Sequence, residues 1–170
     1  MKNLLIQKAR KQDKEAFGRL MKQYGAGMYK VAKAILGSDE DVADAMQETA
    51  LTCWEKLDTL KRDEYFKTWM TRILINHCNK IYGERKRTIV NEGLLETGAQ
   101  EEQYQSIEWK EFLSCLDEKY RAVAVLYYVE GFKTREIAEI LDLNASTVRG
   151  RLSEAREGVK FSVSMGKILL

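Results

Sequence analysis

The chain has 170 residues, of which 32% are charged, and its formal net charge is +2 at pH 7. This composition is typical of a folded globular protein and excludes the disordered and collagen-like classes. No apolar run is long enough to cross a bilayer and the first residues lack a signal-peptide core, so we expect a cytoplasmic protein. The three cysteines have no paired spacing, which disfavours a disulfide framework or a zinc knuckle.

The net charge is distributed unevenly along the chain. Residues 1–88 hold 18 Lys+Arg against 12 Asp+Glu, residues 89–119 hold 2 against 8, and residues 120–170 hold 8 against 6. Proline is absent, as suits a chain made almost wholly of helices. Residues 89–106 lose the helical period and are rich in glycine and acids, so they are predicted to form a linker.

Apolar residues with a helical period predict three helices before the linker, with stripes over residues 17–35, 42–57 and 66–81. Between the first two, Gly37 is predicted as a helix stop and Ser38 or Asp39 as the next N-cap. The polar side of the second helix carries Asp44, Gln47 and Glu48 as an acidic ridge. Taken alone, such a ridge is most simply a solvated helix face.

The third helix carries a basic and amide-bearing face opposite its apolar stripe. Arg72, Asn76 and Lys80 are spaced four residues apart, so they follow one side of the helix. Such a face can track a sugar-phosphate strand and form hydrogen bonds with an exposed base.

After the linker, the pattern predicts a helix-turn-helix at the end of the chain. Gly131 is a predicted stop, Thr134 a predicted N-cap, and residues 142–144 a tight turn between two helices. Val148 and Leu152 belong to the apolar face of the last helix. Its polar residues are small or basic and could enter a major groove: Ser146, Thr147, Arg149, Gly150, Arg151 and Ser153. An ordinary helical hairpin with a solvated face is the alternative.

Taken in order, three motifs resemble those of extracytoplasmic-function sigma factors, the smallest class of bacterial RNA polymerase sigma subunits. They are "DAMQE" at 44–48, "WMTRILIN" at 69–76 and "STVRGRLSEARE" at 146–157. The resemblance implies an all-α fold of two small helical domains joined by a flexible acidic linker. The expected boundaries are 1–88 for the promoter-melting domain, 89–106 for the linker and 107–170 for the helix-turn-helix domain.

The resemblance also implies roles for individual residues. Asp44, Gln47 and Glu48 match the ridge that docks on the clamp helices of the largest polymerase subunit. Arg149 and its neighbours on the last helix match the reader of the minus-thirty-five element, in a domain expected at the polymerase flap. The expected contacts with the separated minus-ten strand come from the loop after the ridge helix and from the next helix: Lys56, Leu60, Lys61, Arg62, Arg72, Asn76 and Lys80.

The expected partners are core RNA polymerase, promoter DNA and an anti-sigma factor, often membrane-bound, that wedges between the two domains. The acidic linker either follows a basic channel inside the polymerase or is a solvated tether. Glu154 stands where many members are basic, so a distinct minus-thirty-five preference is expected. A plain helix-turn-helix regulator that acts without polymerase is the second hypothesis.

The remaining reactive side chains are interpreted as structural. His77 lies on an apolar stripe, where a packed histidine is favoured over a metal ligand, and Cys53 is expected to be a small core residue. Because no positioned nucleophile, carboxylate pair or phosphate-binding loop is evident, we expect no catalysis, no metal, no cofactor and no small-molecule substrate.

Overall fold

A computed structural model of the chain describes residues 2–92 and 107–164, with side chains described over 3–90 and 111–160. Across these ranges the chain forms α-helices joined by short turns, and no strand occurs. The helices are α1 (Lys2–Arg10), α2 (Lys14–Ile35), α3 (Asp39–Lys56), α4 (Phe66–Glu92), α5 (Ile107–Ser114), α6 (Glu118–Ala124), α7 (Thr134–Leu141) and α8 (Ala145–Ser164).

Helices α1–α4 form a first unit around the three predicted stripes. Leu20 of α2, Val42 and Cys53 of α3, and Phe66 and Leu74 of α4 are all buried in its core. The burial of these positions confirms the helical period expected from the sequence, because residues three, four and seven apart share one face.

The helix ends follow from local chemistry. Ser38 is the N-cap of α3, where its hydroxyl accepts a hydrogen bond from the Asp41 N–H at 3.2 Å. Gly37 follows the C-cap Leu36 of α2, as predicted for a stop. The predicted N-cap of α7 is wrong by one residue: the cap is Lys133, whose N–H donates to the Glu136 carboxylate at 2.8 Å.

Helices α5–α8 form a second unit that contains the predicted helix-turn-helix. A three-residue turn joins α7 to α8, and Asp142 adopts the left-handed conformation there with φ of 54°. Ile137 of α7 packs in the same core as Val148 and Leu152 of α8. Because Val148 and Leu152 are buried, the polar side of α8 is turned outward.

A π-helical turn over Val125–Val129 follows α6 and changes one expectation. The sequence pattern places Val123, Leu126, Tyr127 and Val129 on one apolar stripe, but Tyr127 and Val129 are exposed. A π turn contains more residues than an α turn, so side chains within it rotate away from the face that the α period predicts.

The two units pack against each other. Helix α6 packs on α2 and α7 packs on α4, so that one continuous core includes residues of both units. Helix α4 continues to Glu92, four residues beyond the expected domain edge at residue 88. The rest of the predicted linker, residues 93–106, lies outside the described residues.

Candidate functional site

The acidic ridge lies on the outer face of α3. Asp44, Gln47 and Glu48 are exposed, whereas Ala45 and Thr49 on the other side of the helix are buried. The buried side anchors α3 against α4. The structure therefore presents the three ridge residues together on one rigid surface, on consecutive turns.

A groove of about 490 Å³ runs between the ridge and α4. Asp44, Gln47 and Glu48 line its α3 side, and Lys80 and Arg85 lie on its α4 side with His77. Both charge signs therefore meet at this surface, which gives a docking partner a pattern of opposite charges rather than a uniformly acidic face.

Arg85 is bound to the first turn of α3. Its guanidinium donates to both carboxylate oxygens of Asp41, and the shortest contact is 2.8 Å from Nη2 to Oδ1. The hydrogen bond and the charge of Asp41 raise the pKa of Arg85 above its ordinary value. In the basic segment of α4 at residues 83–87, Arg85 is thus paired with Asp41, while Lys86 and Arg87 are exposed.

His77 is half-buried and lines the groove. Its Nε2 lies 2.9 Å from the Thr52 hydroxyl oxygen, which itself donates to the Glu48 carbonyl at 2.8 Å. Because that hydroxyl proton is used by Glu48, Nε2 is assigned as the donor. Among the residues that the structure describes, no group of three or more His, Cys, Asp or Glu side chains could hold a metal ion.

The loop between α3 and α4 is held from behind by α1. The Arg10 guanidinium donates to the Leu60 carbonyl and pairs with Asp63 at 3.1 Å. Lys61 and Arg62 stay exposed at the tip. Leu60 needs a correction: it is only 5% exposed and packs in the core, so its side chain is not available to a base.

The basic face of α4 is open to solvent. Arg72, Asn76 and Lys80 are all exposed, as is Lys56 at the end of α3. At about 100° per residue, the three residues of α4 lie on a strip between the face of α4 that packs on α3 and the face that packs on α7. The structure therefore brings these residues together without covering them.

The recognition helix α8 presents its polar residues in its first turns. Arg149 and Gly150 are exposed, as are Ser146 and Ser153, whereas Thr147 and Arg151 are half-buried. Arg151 differs from the others because it lines a groove of about 670 Å³ between the two units, together with Tyr82. In this arrangement Arg151 is only partly available to DNA.

Sequence reasoning missed the residues that join the two units. Lys67 of α4 and Glu130, in the turn before α7, form an ion pair, with 3.3 Å between Nζ and Oε2. They are 63 residues apart, and no local spacing or motif connects them. Only the presence of a polar pair beside apolar stripes could have suggested that they meet.

Two family models match the chain in the order of its two units. The model of Sigma-70 region 2 matches residues 20–88, and the model of Sigma-70 region 4 matches residues 106–157.

Among the described residues, no helix has the length and apolar character that a membrane span requires.

The relatives are similar over nearly their whole lengths. RNA polymerase sigma factor CnrH of Cupriavidus metallidurans is 28% identical, with 90% of this chain and 89% of the relative covered. The ECF RNA polymerase sigma factor SigW of Bacillus subtilis is 25% identical, with 91% and 92% covered. The ECF RNA polymerase sigma-E factor of Escherichia coli is 27% identical, with 92% and 91% covered.

Solved structures show the same architecture. The structure of CnrH in complex with the cytosolic domain of CnrY has a TM-score of 0.70 at 25% identity, covering 96% of this chain and 97% of that chain. The fold of the sigma factor RpoE, in complex with the anti-sigma factor NepR from Bartonella quintana, gives 0.74 at 21% identity, with 87% and 96% covered. The chain therefore belongs to the sigma-70 family of RNA polymerase sigma factors, in its extracytoplasmic-function class.

Proposed function

We propose that this chain binds core RNA polymerase through its first unit and directs the enzyme to promoters that both units recognise. The observation that carries the proposal is the coexistence, on one chain, of an exposed Asp44–Gln47–Glu48 ridge and an exposed recognition helix α8. A regulator acting on duplex DNA alone would need the second surface and not the first.

The polymerase contact is proposed to be a helix-to-helix interface. The ridge offers two carboxylates and an amide on adjacent turns of α3, a pattern that sets the register against a basic helix. Lys80 and Arg85 across the groove restrict which partners fit, because a uniformly basic surface would meet repulsion there.

The separated minus-ten strand is proposed to follow the exposed strip of α4 and the loop before it. The strip is Arg72, Asn76 and Lys80, and the other exposed candidates are Lys56 at the end of α3 and Lys61 and Arg62 in the loop. Leu60 is left out because it is buried. A base flipped out of the duplex can be recognised on its Watson–Crick edge, at an unstacking cost of a few kcal/mol. Preferential affinity for the open strand then shifts the melting equilibrium, so the chain itself needs neither ATP nor a metal for this step.

The duplex contact is proposed to lie on the first turns of α8. Ser146, Gly150 and Ser153 are small enough for close approach to the DNA backbone, and Thr147 borders them. Arg149 projects from the middle of this surface and is suited to a guanine edge or a phosphate. Arg151 would join the contact only when the groove between the units opens.

An anti-sigma factor is proposed as a further partner. The structure of RpoE was solved with the anti-sigma factor NepR, and that of CnrH with the cytosolic domain of CnrY. In this chain the groove between the units is partly apolar, with Ile75, Leu141 and Leu143 among its lining residues. A helix from another protein could bury that apolar surface.

The proposal is tested by replacing Asp44, Gln47 and Glu48 with alanine together. We expect fluorescence anisotropy to show loss of binding to purified core polymerase, and run-off transcription from a cognate promoter to disappear. The matched control replaces Glu15, Gln23 and Glu139, two acids and one amide that are also exposed but lie on α2 and α7 instead of α3. Normal core binding by the ridge variant would contradict the proposal.

A further inference from the structure

One arginine of α1 contacts both ends of the exposed tip of the loop between α3 and α4. The Arg10 Nη2 atom donates to the Leu60 carbonyl and lies 3.1 Å from Oδ1 of Asp63. Leu60 directly precedes Lys61 and Arg62 in the chain, and Asp63 directly follows them. We call Lys61 and Arg62 the loop tip. The Arg10 guanidinium therefore bridges the two residues that flank the loop tip.

The loop has little regular structure of its own. Single turns of 3₁₀ helix lie on either side of the loop tip, at Leu57–Thr59 and Asp63–Tyr65. Between them Arg62 is extended, with φ of −137° and ψ of 131°. Because 3₁₀ turns are short and have poor hydrogen-bond geometry, they hold a loop only weakly. The bridge from Arg10 supplies a contact to both turns at once.

Helix α1 is a firm support for this bridge. Its residues Ile6 and Ala9 are each 1% exposed and belong to the core of the first unit. The side chains of Arg10 and Asp63 are 29% and 14% exposed, so water screens their ion pair less than it screens a pair at the surface.

The contacts made by the loop tip itself are weaker. Arg62 pairs with Glu64 at 2.9 Å, and its guanidinium carbon lies 5.3 Å from the centre of the Tyr65 ring. The Arg62 and Glu64 side chains are 62% and 60% exposed, so this pair orients Arg62 but contributes little to stability. The backbone position of the loop tip is therefore set mainly from behind, by α1.

We propose that Arg10 is a positioning residue, which holds the loop tip in the conformation that captures the separated promoter strand. This inference rests on the proposed function, in which Lys61 and Arg62 contact that strand. Long side chains on a mobile loop lose conformational entropy when they bind, whereas a loop tip held in advance loses less. Arg10 lies outside the three sequence motifs and acts through the loop tip, without contacting DNA.

The first test is hydrogen–deuterium exchange in the free protein. Arg10→Met removes both contacts but keeps an unbranched side chain of similar helix propensity. Lys8→Ala is the control, because it removes one positive charge from an exposed position on the same helix. Amides of residues 57–65 should exchange about tenfold faster in Arg10→Met, through easier local opening, and at the wild-type rate in Lys8→Ala. Unchanged exchange in Arg10→Met would overturn the positioning role.

The second test measures strand capture by the polymerase holoenzyme. The probe is a fragment of a promoter at which the wild type initiates, with its minus-ten segment single-stranded. Arg10→Met should raise the Kd for this probe about tenfold, the scale expected when two long side chains must be ordered on binding. Its affinity for core polymerase should not change. Arg10→Lys should recover part of the loss, because one ammonium can replace Nη2, the atom that makes both contacts.

Asp63→Asn distinguishes positioning from the effect of charge alone. It removes a negative charge beside the loop tip, which by electrostatics alone would strengthen DNA binding. If the pair with Arg10 positions the loop tip, the variant should instead bind the probe more weakly. Asp58→Asn is the control, since Asp58 is exposed in the same loop. Tighter binding by Asp63→Asn would overturn the inference, and this variant carries the test if circular dichroism shows that Arg10→Met is unfolded.

A variant without the loop tip shows whether Arg10 acts through it. In a Lys61→Ala/Arg62→Ala background, Arg10→Met should change the Kd by less than about twofold, because the side chains that it positions are absent. It should also leave the salt dependence of binding unchanged. If Arg10 contacted a phosphate itself, its loss would add fully in this background and reduce the salt slope by about 0.7, which would overturn the positioning role.

The wild-type holoenzyme separates this inference from the function on which it rests. If it binds the single-stranded probe no better than the matching duplex, the proposed strand contact fails and the role of Arg10 fails with it. If the wild type prefers the single-stranded probe and folded Arg10→Met binds that probe equally well, only the positioning role fails.

Discussion

Arg85 of α4 holds Asp41, in the first turn of α3, by contacts to both oxygens of its carboxylate. Nη2 lies 2.8 Å from Oδ1, and Nε lies 3.2 Å from each oxygen. The Asp41 side chain is 11% exposed and that of Arg85 is 55% exposed. The carboxylate also lies near the positive end of the α3 dipole, which favours its charged form. This pair joins the first turn of α3 to α4 at the groove that both residues line.

Arg85→Ala should destabilise the chain modestly. It leaves the Asp41 carboxylate without its guanidinium partner, but the exposure of Arg85 to solvent limits the loss to about 1 kcal/mol. For a chain of this size, that corresponds to a fall in Tm of roughly 2–4 °C, measurable by calorimetry. Binding to core polymerase should weaken as well, because the ridge on α3 loses its support.

Lys86→Ala is the control for this variant, because Lys86 is the exposed neighbour on the same helix and carries the same charge. Its Tm should match that of the wild type. If both variants lowered Tm equally, the effect would come from the general charge of this helix end, and the Asp41 contact would contribute nothing.

Substitutions at Asp142 should change stability in a way that depends on the new side chain. Asp142 has a left-handed backbone conformation in the turn between α7 and α8. Its φ of 54° is disfavoured for most side chains, with Asp and Asn the best tolerated after glycine. Asp142→Gly should be neutral or slightly stabilising, whereas Asp142→Val should cost about 1–2 kcal/mol. Urea unfolding of the two variants measures the difference. Equal stabilities would contradict the assigned backbone conformation.

The parts of the fold that the sequence predicts are those set by local chemistry. Ser38 has a side-chain oxygen placed for the Asp41 N–H, and the apolar residues of α2 recur with the period of a helix. The exposure of Asp44 and Arg149 follows in the same way, because the opposite side of each helix is apolar and buries itself. The polar surfaces of the candidate site were therefore largely predictable.

The packing between the units was not predictable from these local patterns. Ile75 is buried, and Thr71 and Cys78 on the same side of α4 are buried with it. None of the three belongs to the predicted stripe of this helix, which consists of Phe66, Trp69, Met70, Ile73, Leu74, His77 and Ile81. These residues form a second face that becomes a core face only because α7 covers it. The prediction that Leu60 contacts DNA was wrong for a related reason. The side chain of a loop leucine can point to solvent or to the core, and no local pattern distinguishes the two. Here Arg10, 50 residues away, donates to the Leu60 carbonyl and contributes to holding the loop.

The cysteines give a prediction about reactivity. Burial raises the pKa of Cys53 and of Cys78 to about 12, while Cys115 is half-buried, with its thiol donating to the Phe112 carbonyl at 3.0 Å. Ellman's reagent at pH 8 should therefore modify Cys115 first and leave Cys53 and Cys78 protected until the chain unfolds. Rapid reaction of all three in the folded protein would contradict the burial of the two core thiols.

The same pKa shifts predict that stability falls in alkali. Each buried thiol has an ordinary pKa of 9.0 and a folded value of about 12, so the unfolded chain loses these protons first. The contribution of each thiol is complete below about pH 9 and is lost between about pH 9 and 12, at roughly 1 kcal/mol per thiol per pH unit. The urea midpoint should fall more between pH 8 and 10.5 in wild type than in Cys53→Ala/Cys78→Ala. Parallel changes in the two proteins would exclude this origin.

Arg149 gives the prediction that bears most directly on duplex recognition. In the polymerase holoenzyme, Arg149→Ala should weaken binding to a promoter fragment by about 1–3 kcal/mol if its guanidinium contacts a guanine edge, and should relax sequence preference at that base pair. A phosphate contact would instead weaken all sequences alike and reduce the salt slope by about 1. Footprinting and salt titration on two upstream sequences distinguish these contacts.

Arg156→Ala is the control, since Arg156 is further along the same helix and donates to the Tyr128 hydroxyl at 3.4 Å. If Arg156→Ala weakened binding as much as Arg149→Ala, DNA would have to contact α8 well beyond its first turns, and the orientation assigned to the recognition helix would be wrong.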